Sequence, residues 1–395
     1  MDVQKLVNNY TEQIIKWRRD LHQIPELGFD LPQTTAYVKK VLTDLNIEFK
    51  ELVNGSAIVA LIPGADPNGL TVALRADMDA LPIKEETGLE FASTNGNMHA
   101  CGHDAHTASL LGAAAVLKQC SQEFKGNVKL LFQPSEEING GALPMIEEGC
   151  LNDPPVDYVI GQHVGLLYKS LKPGQMGTYL GCMMASLDEF LITFKGRGGH
   201  GAYPQNTIDP IPMAATAVSS IQSFIARRLD PLDSAVFTIG QIHGGSQYNV
   251  IPDTVSINGT CRCLNPETRK MIAEGIKILA DNIAKAYGGS AIVDYKFGYP
   301  VLENDISLAK KVMEIAKKSL GEDKCVYLEK ATMGSEDFAY FAEKVPSVFF
   351  IWNTSQPLDG ICYGNHNSKF LVDETTIPDC VKFFVEASLG LLNEK

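Results

Sequence analysis

The sequence predicts an α/β fold: a mostly parallel sheet flanked by helices, interrupted by a smaller inserted α+β domain. Three observations carry this expectation. Short apolar stretches repeatedly end in a polar or titratable side chain and give way to a helical pattern, the rhythm of a parallel sheet with helical crossovers. At 395 residues the chain exceeds the length at which a single hydrophobic core keeps growing. Between about 186 and 299 the rhythm changes to strand, helix, strand, strand, helix, strand, after which patterns of the first kind resume. The expected boundaries are 1–185 and 300–395 for the larger domain and 186–299 for the insert.

Residues 3–20 have helical apolar spacing, which Pro25 and Gly28 end; His22 between them reads as a capping or packing residue. A second helix is expected over 33–46, and 57–62 reads as a short buried strand closed by Pro63 and Gly64. The stretch 70–79 is a nearly continuous apolar strand that ends in Asp77 and Asp79. Residues 99–107 then gather His99, Cys101, His103, Asp104 and His106, three of the eight histidines, ahead of a helix over 107–117 whose small residues can pack closely against a sheet. Strand 127–133 runs into Pro134, Ser135, Glu136 and Glu137, and strand 156–163 ends in His163. Within the insert the expected elements are strands at 189–195, 235–239, 254–258 and 291–295 and helices at 209–228 and 266–286. A helix at 305–319, a strand at 347–352 and a helix at 375–392 complete the larger domain.

Composition narrows the function. A formal net charge of −13 argues against nucleic acid as a partner, because a phosphate backbone needs clustered Lys and Arg. The first residues lack a basic segment followed by an apolar one, and no run of about 18 apolar residues occurs, so neither export nor a membrane span is expected. Nine cysteines, an odd number without regular spacing, read as reduced thiols and point to the cytoplasm.

In a largely parallel sheet, ligands bind beyond the strand C-termini, so Asp77, Asp79, Glu136, Glu137 and His163 can converge with the 101–103 segment. Cys101 and His103 stand at a helix entry, where backbone N–H groups favour the thiolate that binds metal. Glu137 adds a hard carboxylate, and His163 and His366 add imidazoles; such a mixed donor set suits Zn, Mn, Co or Ni. Adjacent side chains beyond a strand diverge, so one of Glu136 and Glu137 can ligate while the other takes a proton from water and passes it to a leaving amine. A Cys101/His103 nucleophile dyad is the rival reading, but it leaves Glu136, Glu137, His163 and His366 without a role. In the insert, the glycine-rich turn 195–204 lacks the Gly-Lys-Ser/Thr ending of a phosphate loop, and its His200 can donate to a developing oxyanion. Asn249 and Arg262 offer an amide and a guanidinium that fit a carboxylate, although they equally suit a turn cap and an edge-strand gatekeeper. Cys261 and Cys263 share a strand face, but with no second pair nearby they do not read as a metal site.

These residues lie in ordered blocks over nearly the whole chain: LRADMDALPI (74–83), MHACGHDAHTASLLGAA (98–114), LLFQPSEE (130–137), GQHV (161–164), GRGGHGAYP (196–204), YNVIPD (248–253), MGSEDFAYF (333–341) and NHNSKF (365–370). In them the chain resembles the metal-dependent aminoacylase and carboxypeptidase family, in its N-acyl-amino-acid amidohydrolase branch, which includes hippurate hydrolases and plant auxin-conjugate hydrolases. The resemblance implies a di-metal exopeptidase-like fold with a βαββαβ lid or dimerisation domain. It implies two divalent ions per subunit, with Cys101, His103, Glu137, His163 and His366 as ligands and Glu136 as base. It further implies that His200 reaches a partner subunit's active site in a homodimer, and that Asn249, Arg262, Gly334 and Ser335 handle the substrate's carboxylate or neighbouring groups. Relatives outside the branch have a histidine ligand at the position of Asp77, so Asp77 and Asp79 are assigned to support. Gln205 and Ser368 also depart from the common pattern without removing a proposed ligand. The expected reaction is hydrolysis of an N-acyl-L-amino acid; the alternatives are a dipeptidase or carboxypeptidase of the same family, and a catalytically silent metal-binding protein.

Overall fold

Helix α1 (Val3–His22) begins on Asp2, whose carboxylate accepts the Lys5 N–H, and it buries Val3, Val7, Ile14, Trp17 and Leu21 along one face. The computed structural model describes residues 2–138 and 140–393. Next come α2 (Pro32–Asp44), with proline at its first position where an N–H would be unpaired anyway, β1 (Glu48–Leu52), β2 (Ala57–Pro63) and β3 (Thr71–Asp77). They lead to α3 (His103–Gln119), β4 (Asn127–Gln133), α4 (Ala142–Glu147), β5 (Tyr158–Gly165) and β6 (Met176–Thr178). After a second unit, which begins within β7 (Gly181–Met184), the chain returns through β14 (Leu302–Asn304), α7 (Ile306–Leu320), β15 (Cys325–Tyr327), α8 (Ala339–Ala342), β16 (Ser347–Asn353) and α9 (Ile377–Leu392).

Two compact units result. One comprises Met1–Gly181, Glu303–Lys330 and Asp337–Lys395; the other comprises Cys182–Leu302 and Ala331–Glu336. The second unit thus starts and ends a few residues outside the expected 186–299 and also takes in a short later segment that contains Gly334 and Ser335.

The first unit is built on an eight-stranded sheet in the order β1-β2-β4-β3-β5-β16-β6-β15. Its centre, β4-β3-β5-β16, is parallel, while β1, β2 and β6 join antiparallel. Parallel central strands buried on both faces explain why β3 and β4 are buried along their whole length. The parallel register aligns Asp77 with Gln133 and brings the ends of β3, β4 and β5 to one edge of the sheet. Helix α3 is buried from His103 to Leu117 and contacts α1 and α9 as well as the sheet. Its small residues therefore serve helix packing too: a Cβ on Gly112 would stand 2.7 Å from Val381 and 2.9 Å from Ile14.

The second unit contains β8 (Asp188–Lys195), β9 (Gly199–His200), α5 (Pro210–Arg228), β10 (Ala235–Gly244), β11 (Val250–Ile251), β12 (Thr254–Cys263), α6 (Pro266–Ala286) and β13 (Ser290–Phe297). Its four-stranded antiparallel sheet has the order β10-β12-β8-β13, with α5 and α6 against one face and a core of Phe190, Ile192, Phe194, Met213, Ile257 and Ile276. This is the expected βαββαβ arrangement, with β9 and β11 as a small added pair. Buried Asp188 accepts from Arg269 Nε at 3.0 Å and from the Tyr295 hydroxyl at 2.9 Å, tying α6 and β13 to β8.

Candidate active site

The end of β3 sets the frame. Asp79, just beyond it, is buried, and its two oxygens accept the backbone N–H groups of Glu136 (3.0 Å) and Glu137 (3.1 Å). That fixes the turn after β4. Asp77 is engaged by the Arg75 guanidinium (2.7 Å) and His106 Nδ1 (2.5 Å), and Arg75 also reaches Gln133 and Asp337. Against the cost of burial, Arg75 and then His103 and His106 hold the Asp77 carboxyl well below the usual range.

Each histidine has a tautomer set by its other nitrogen. His103 donates Nδ1–H to the Asp79 carbonyl (2.8 Å), and His163 donates Nδ1–H to the Val164 carbonyl (2.7 Å), so both present Nε2 to the site. His106 is committed on both sides, to Asp77 and, through Nε2, to the Val164 N–H (2.8 Å), which removes it from the candidate ligands. His366 is mostly exposed and has a left-handed φ of 66°, and its Nε2 stands 3.3 Å from Glu137 Oε1.

The bare donors gather in overlapping groups. Cys101, His103 and His163 lie within 4.8 Å of one another; so do Cys101, Glu137 and His366, and so do His103, Glu136 and Glu137. Cys101 Sγ is 3.3 Å from His163 Nε2, and His103 Nε2 is 4.0 Å from Glu137 Oε1. The structure thus brings together all five sequence-derived ligand candidates together with Glu136.

Two features show that a cation fits this donor set. His103 Nε2 is buried and hydrogen-bonded to nothing among the described residues, a cost that native proteins seldom leave uncompensated, and Glu137 Oε1 beside it has the mostly exposed His366 Nε2 at 3.3 Å. The electrostatics agree: burial disfavours a charge on His103, yet Asp77, Asp79 and Glu137 raise its pKa to about 10. Burial first, and then Glu137, Glu136 and Asp77, push the Cys101 thiol well above the usual range as long as no cation shares the site. The surplus of carboxylates that opposes a thiolate is what a divalent cation would neutralise.

In the second unit, His200 is exposed on β9, paired with Val250 of β11; its Nδ1 accepts the Ala202 N–H (3.1 Å), and the Asn249 carbonyl accepts the Gly201 N–H (2.8 Å). Arg262, half-buried on β12, donates to Ser335 Oγ (2.7 Å) and the Met333 carbonyl (3.2 Å), and the Gly334 carbonyl accepts from Ala185 N–H (2.9 Å). So His200 adjoins Asn249, and Arg262 adjoins the 333–335 turn. Cys261 and Cys263 face each other, Sγ to Sγ, at 3.8 Å, and neither belongs to a metal-donor group among the described residues. His22 is buried between Asp104 (2.8 Å) and Glu85 (3.1 Å), a packed ion-pair partner.

A buried thiol, imidazole and carboxylate cluster with a second carboxylate beside it, at the strand ends of such a sheet, defines a metal-dependent hydrolase. Residues 73–389 match the pattern of peptidase family M20/M25/M40. The chain is 39% identical over 384 residues to N-acetyl-L-cysteine deacetylase of Bacillus subtilis (strain 168), covering 97% of this chain and 89% of that protein. It is likewise 39% identical over 383 residues to thermostable carboxypeptidase 1 of Saccharolobus solfataricus, covering 95% of each. Among solved structures, the Bacillus subtilis YXEP protein, described as a dinuclear metal-binding peptidase of the M20 family, superposes with a TM-score of 0.84 at 35% identity, covering 98% of this chain and 99% of that one. The chain therefore belongs to the M20/M25/M40 family, and it is an amidohydrolase of that family.

In the NHNSKF segment the sequence pointed to His366 as a ligand and to Ser368 as a departure, and gave Asn365 no role. Nor did it foresee that His106 is spent on Asp77 and Val164. Only the hydrogen bonds that Val164 and Leu166 make with residues far along the chain reveal either.

Proposed function

We propose that this protein hydrolyses N-acyl-L-amino acids, releasing a carboxylic acid and a free amino acid. The observation that carries this reading is the pair of donor groups that share Cys101, with Glu136 beside them. In this reading Cys101, His103, Glu137, His163 and His366 hold two divalent ions, of Zn, Mn, Co or Ni, a count that accords with the dinuclear description of the YXEP relative. When bound, the ions supply Lewis acidity toward the acyl carbonyl and acidify water.

The chain's own residues do the rest. Glu136 accepts a proton from the attacking water and delivers it to the leaving amine nitrogen, so that the amino acid departs neutral at nitrogen. Asp79 keeps the Glu136 and Glu137 peptides fixed, which confines the base to one approach. His200 donates to the oxyanion that forms as the carbonyl is attacked. Arg262, steadied by Ser335, grips the α-carboxylate, and Asn249 and Gly334 offer polar groups to it or to neighbouring groups of the substrate. A homodimer formed through the inserted unit agrees with the family resemblance. The cytoplasm is the proposed compartment; among the described residues no helix is long and apolar enough to cross a membrane.

The carboxypeptidase relative favours a second reading, C-terminal trimming of peptides. Both reactions leave a free amino acid carboxylate in the Arg262 position and differ on the acyl side. The test is a metal-reconstituted assay of N-acetyl-cysteine, N-acetyl-methionine and benzoyl-glycine beside blocked and unblocked dipeptides. Chelator-sensitive cleavage that favours the simple acyl compounds is expected. Preference for peptides would support the second reading, and no cleavage across the panel would favour a silent metal-binding protein.

A further inference from the structure

We infer that Asn365 is a positioning residue that locks together the three segments carrying Cys101, His163 and His366. Its carboxamide is used on every side. Nδ2 donates to the Cys101 carbonyl (3.0 Å) and to the Val164 carbonyl (3.1 Å), while Oδ1 accepts the Leu166 N–H (2.9 Å). With two carbonyls on one end and an N–H on the other, only one orientation of the amide fits. The Val164 carbonyl is the same atom that accepts His163 Nδ1–H and so sets that ring's tautomer. Asn365 therefore holds the peptide that orients His163, the peptide of Cys101, and, by chain connection, His366.

The surroundings are shaped for this side chain. Gly165 has φ +124°, and a Cβ there would lie 2.2 Å from Asn365 Oδ1 and 2.3 Å from Nδ2, so the carboxamide occupies space that any other residue at 165 would fill. One residue on, His366 takes a left-handed φ of 66° and its N–H bonds to the Ala100 carbonyl (2.8 Å), a second tie between the same two segments. A side chain that was only filling a loop would not need one donor end spanning two ligand-bearing strands of chain. Aspartate keeps the size of asparagine but offers no donor, so it would set a carboxylate against two carbonyls.

The inference rests on the ligand assignment proposed above, and one experiment separates the two. Co2+ binding is measured by competition with a chelator and by the visible spectrum of the loaded protein, including the thiolate charge-transfer band, in wild type, Asn365→Asp, Asn365→Ala, Cys101→Ala and Asn367→Ala. Asn367 bonds the Lys369 N–H of its own turn and serves as the local control. Melting temperatures are taken for the metal-free proteins. Loss of affinity of about 10–100-fold in both Asn365 variants is expected, as for other residues that orient metal ligands, with an altered cobalt spectrum and an unchanged control. Asn365→Ala, which introduces no repulsion, keeps the test usable should Asn365→Asp fold poorly. Cobalt affinity and spectrum equal to wild type in Asn365→Ala would overturn the inference, whatever happens to its melting temperature. Failure of wild type to bind cobalt, or undiminished binding by Cys101→Ala, would instead overturn the ligand assignment.

Discussion

Replacing Asp79 by asparagine changes one atom at the joint between β3 and the Glu136–Glu137 turn. Both carboxylate oxygens are acceptors, for Glu136 N–H at 3.0 Å and Glu137 N–H at 3.1 Å, in a fully buried setting. An amide can accept at its oxygen only, so one of those N–H groups would face an NH2. A buried donor left unpaired costs about 1–3 kcal/mol. Burial raises the Asp79 carboxyl, in part offset by the His103 ring 3.4 Å from its Oδ1, so removing its charge relieves some desolvation, and global stability should fall by no more than that range. The turn can escape the mismatch only by rotating, which moves both glutamates. A displacement of about 1 Å at a reacting centre costs on the order of 10²-fold in rate, and a misplaced ligand about 10–100-fold in metal affinity. The assay is kcat on an N-acyl amino acid together with metal retained after dialysis against a chelator; both should drop. An Asp79→Asn protein with wild-type turnover and wild-type metal retention would refute the reasoning.

Glu136→Gln should separate the two readouts, because the two Cys101-containing donor groups exclude Glu136 and the third keeps His103, Glu137 and an amide oxygen: metal content stays and kcat falls by about 10² or more, with near-normal turnover counting against Glu136 as the base. Gly112→Val should destabilise by about 1–3 kcal/mol in chemical denaturation, since even a Cβ would press on Val381 and Ile14; an unchanged midpoint would mean that α3 does not need this close approach. Glu85 supplies a pH test. Burial works against its charge, but the hydrogen bond and charge of His22, the Thr87 hydroxyl and the Ser93 N–H hold its pKa below the ordinary 4.5. A depressed carboxyl stabilises the fold above the unfolded value and loses that contribution as pH falls through the folded one. The stability gap between wild type and Glu85→Gln should therefore be full near pH 6 and close on acidification below about 4.5, and a gap independent of pH would contradict the assignment.

Where the sequence carried a periodic signal, it was readable. The apolar runs that became β3, β4, β5 and β16 were placed within a few residues, because parallel strands covered on both faces are largely apolar; β5 runs on past His163 to Gly165, since a ligand side chain can stand inside the last turn of pairing. The βαββαβ order of the second unit was legible for the same reason. Elements without such a signal were missed. The strand β1, Glu-Phe-Lys-Glu-Leu, is an edge strand with no buried residue, and β6 and β15 have three residues each. Strand β10 was cut short at Ile239 because Gly240 falls at a register shift, beyond which pairing with β12 resumes to Gly244. At the site, residue types and their places at strand ends pointed to the cluster, but not to how charges combine there. The upward push on the Cys101 thiol comes from burial and from three carboxylates distant in sequence, which no local pattern encodes. The bonds of Asn365 likewise span 199 to 264 positions, and no local pattern encodes them.

The most direct test of the central claim is elemental analysis of the purified protein and of Cys101→Ala, because the two principal donor groups meet at that sulfur. Wild type reconstituted with Zn or Mn should hold about two ions per chain after gel filtration, and Cys101→Ala should hold clearly fewer while remaining folded. Equal metal content in the two proteins would contradict the account.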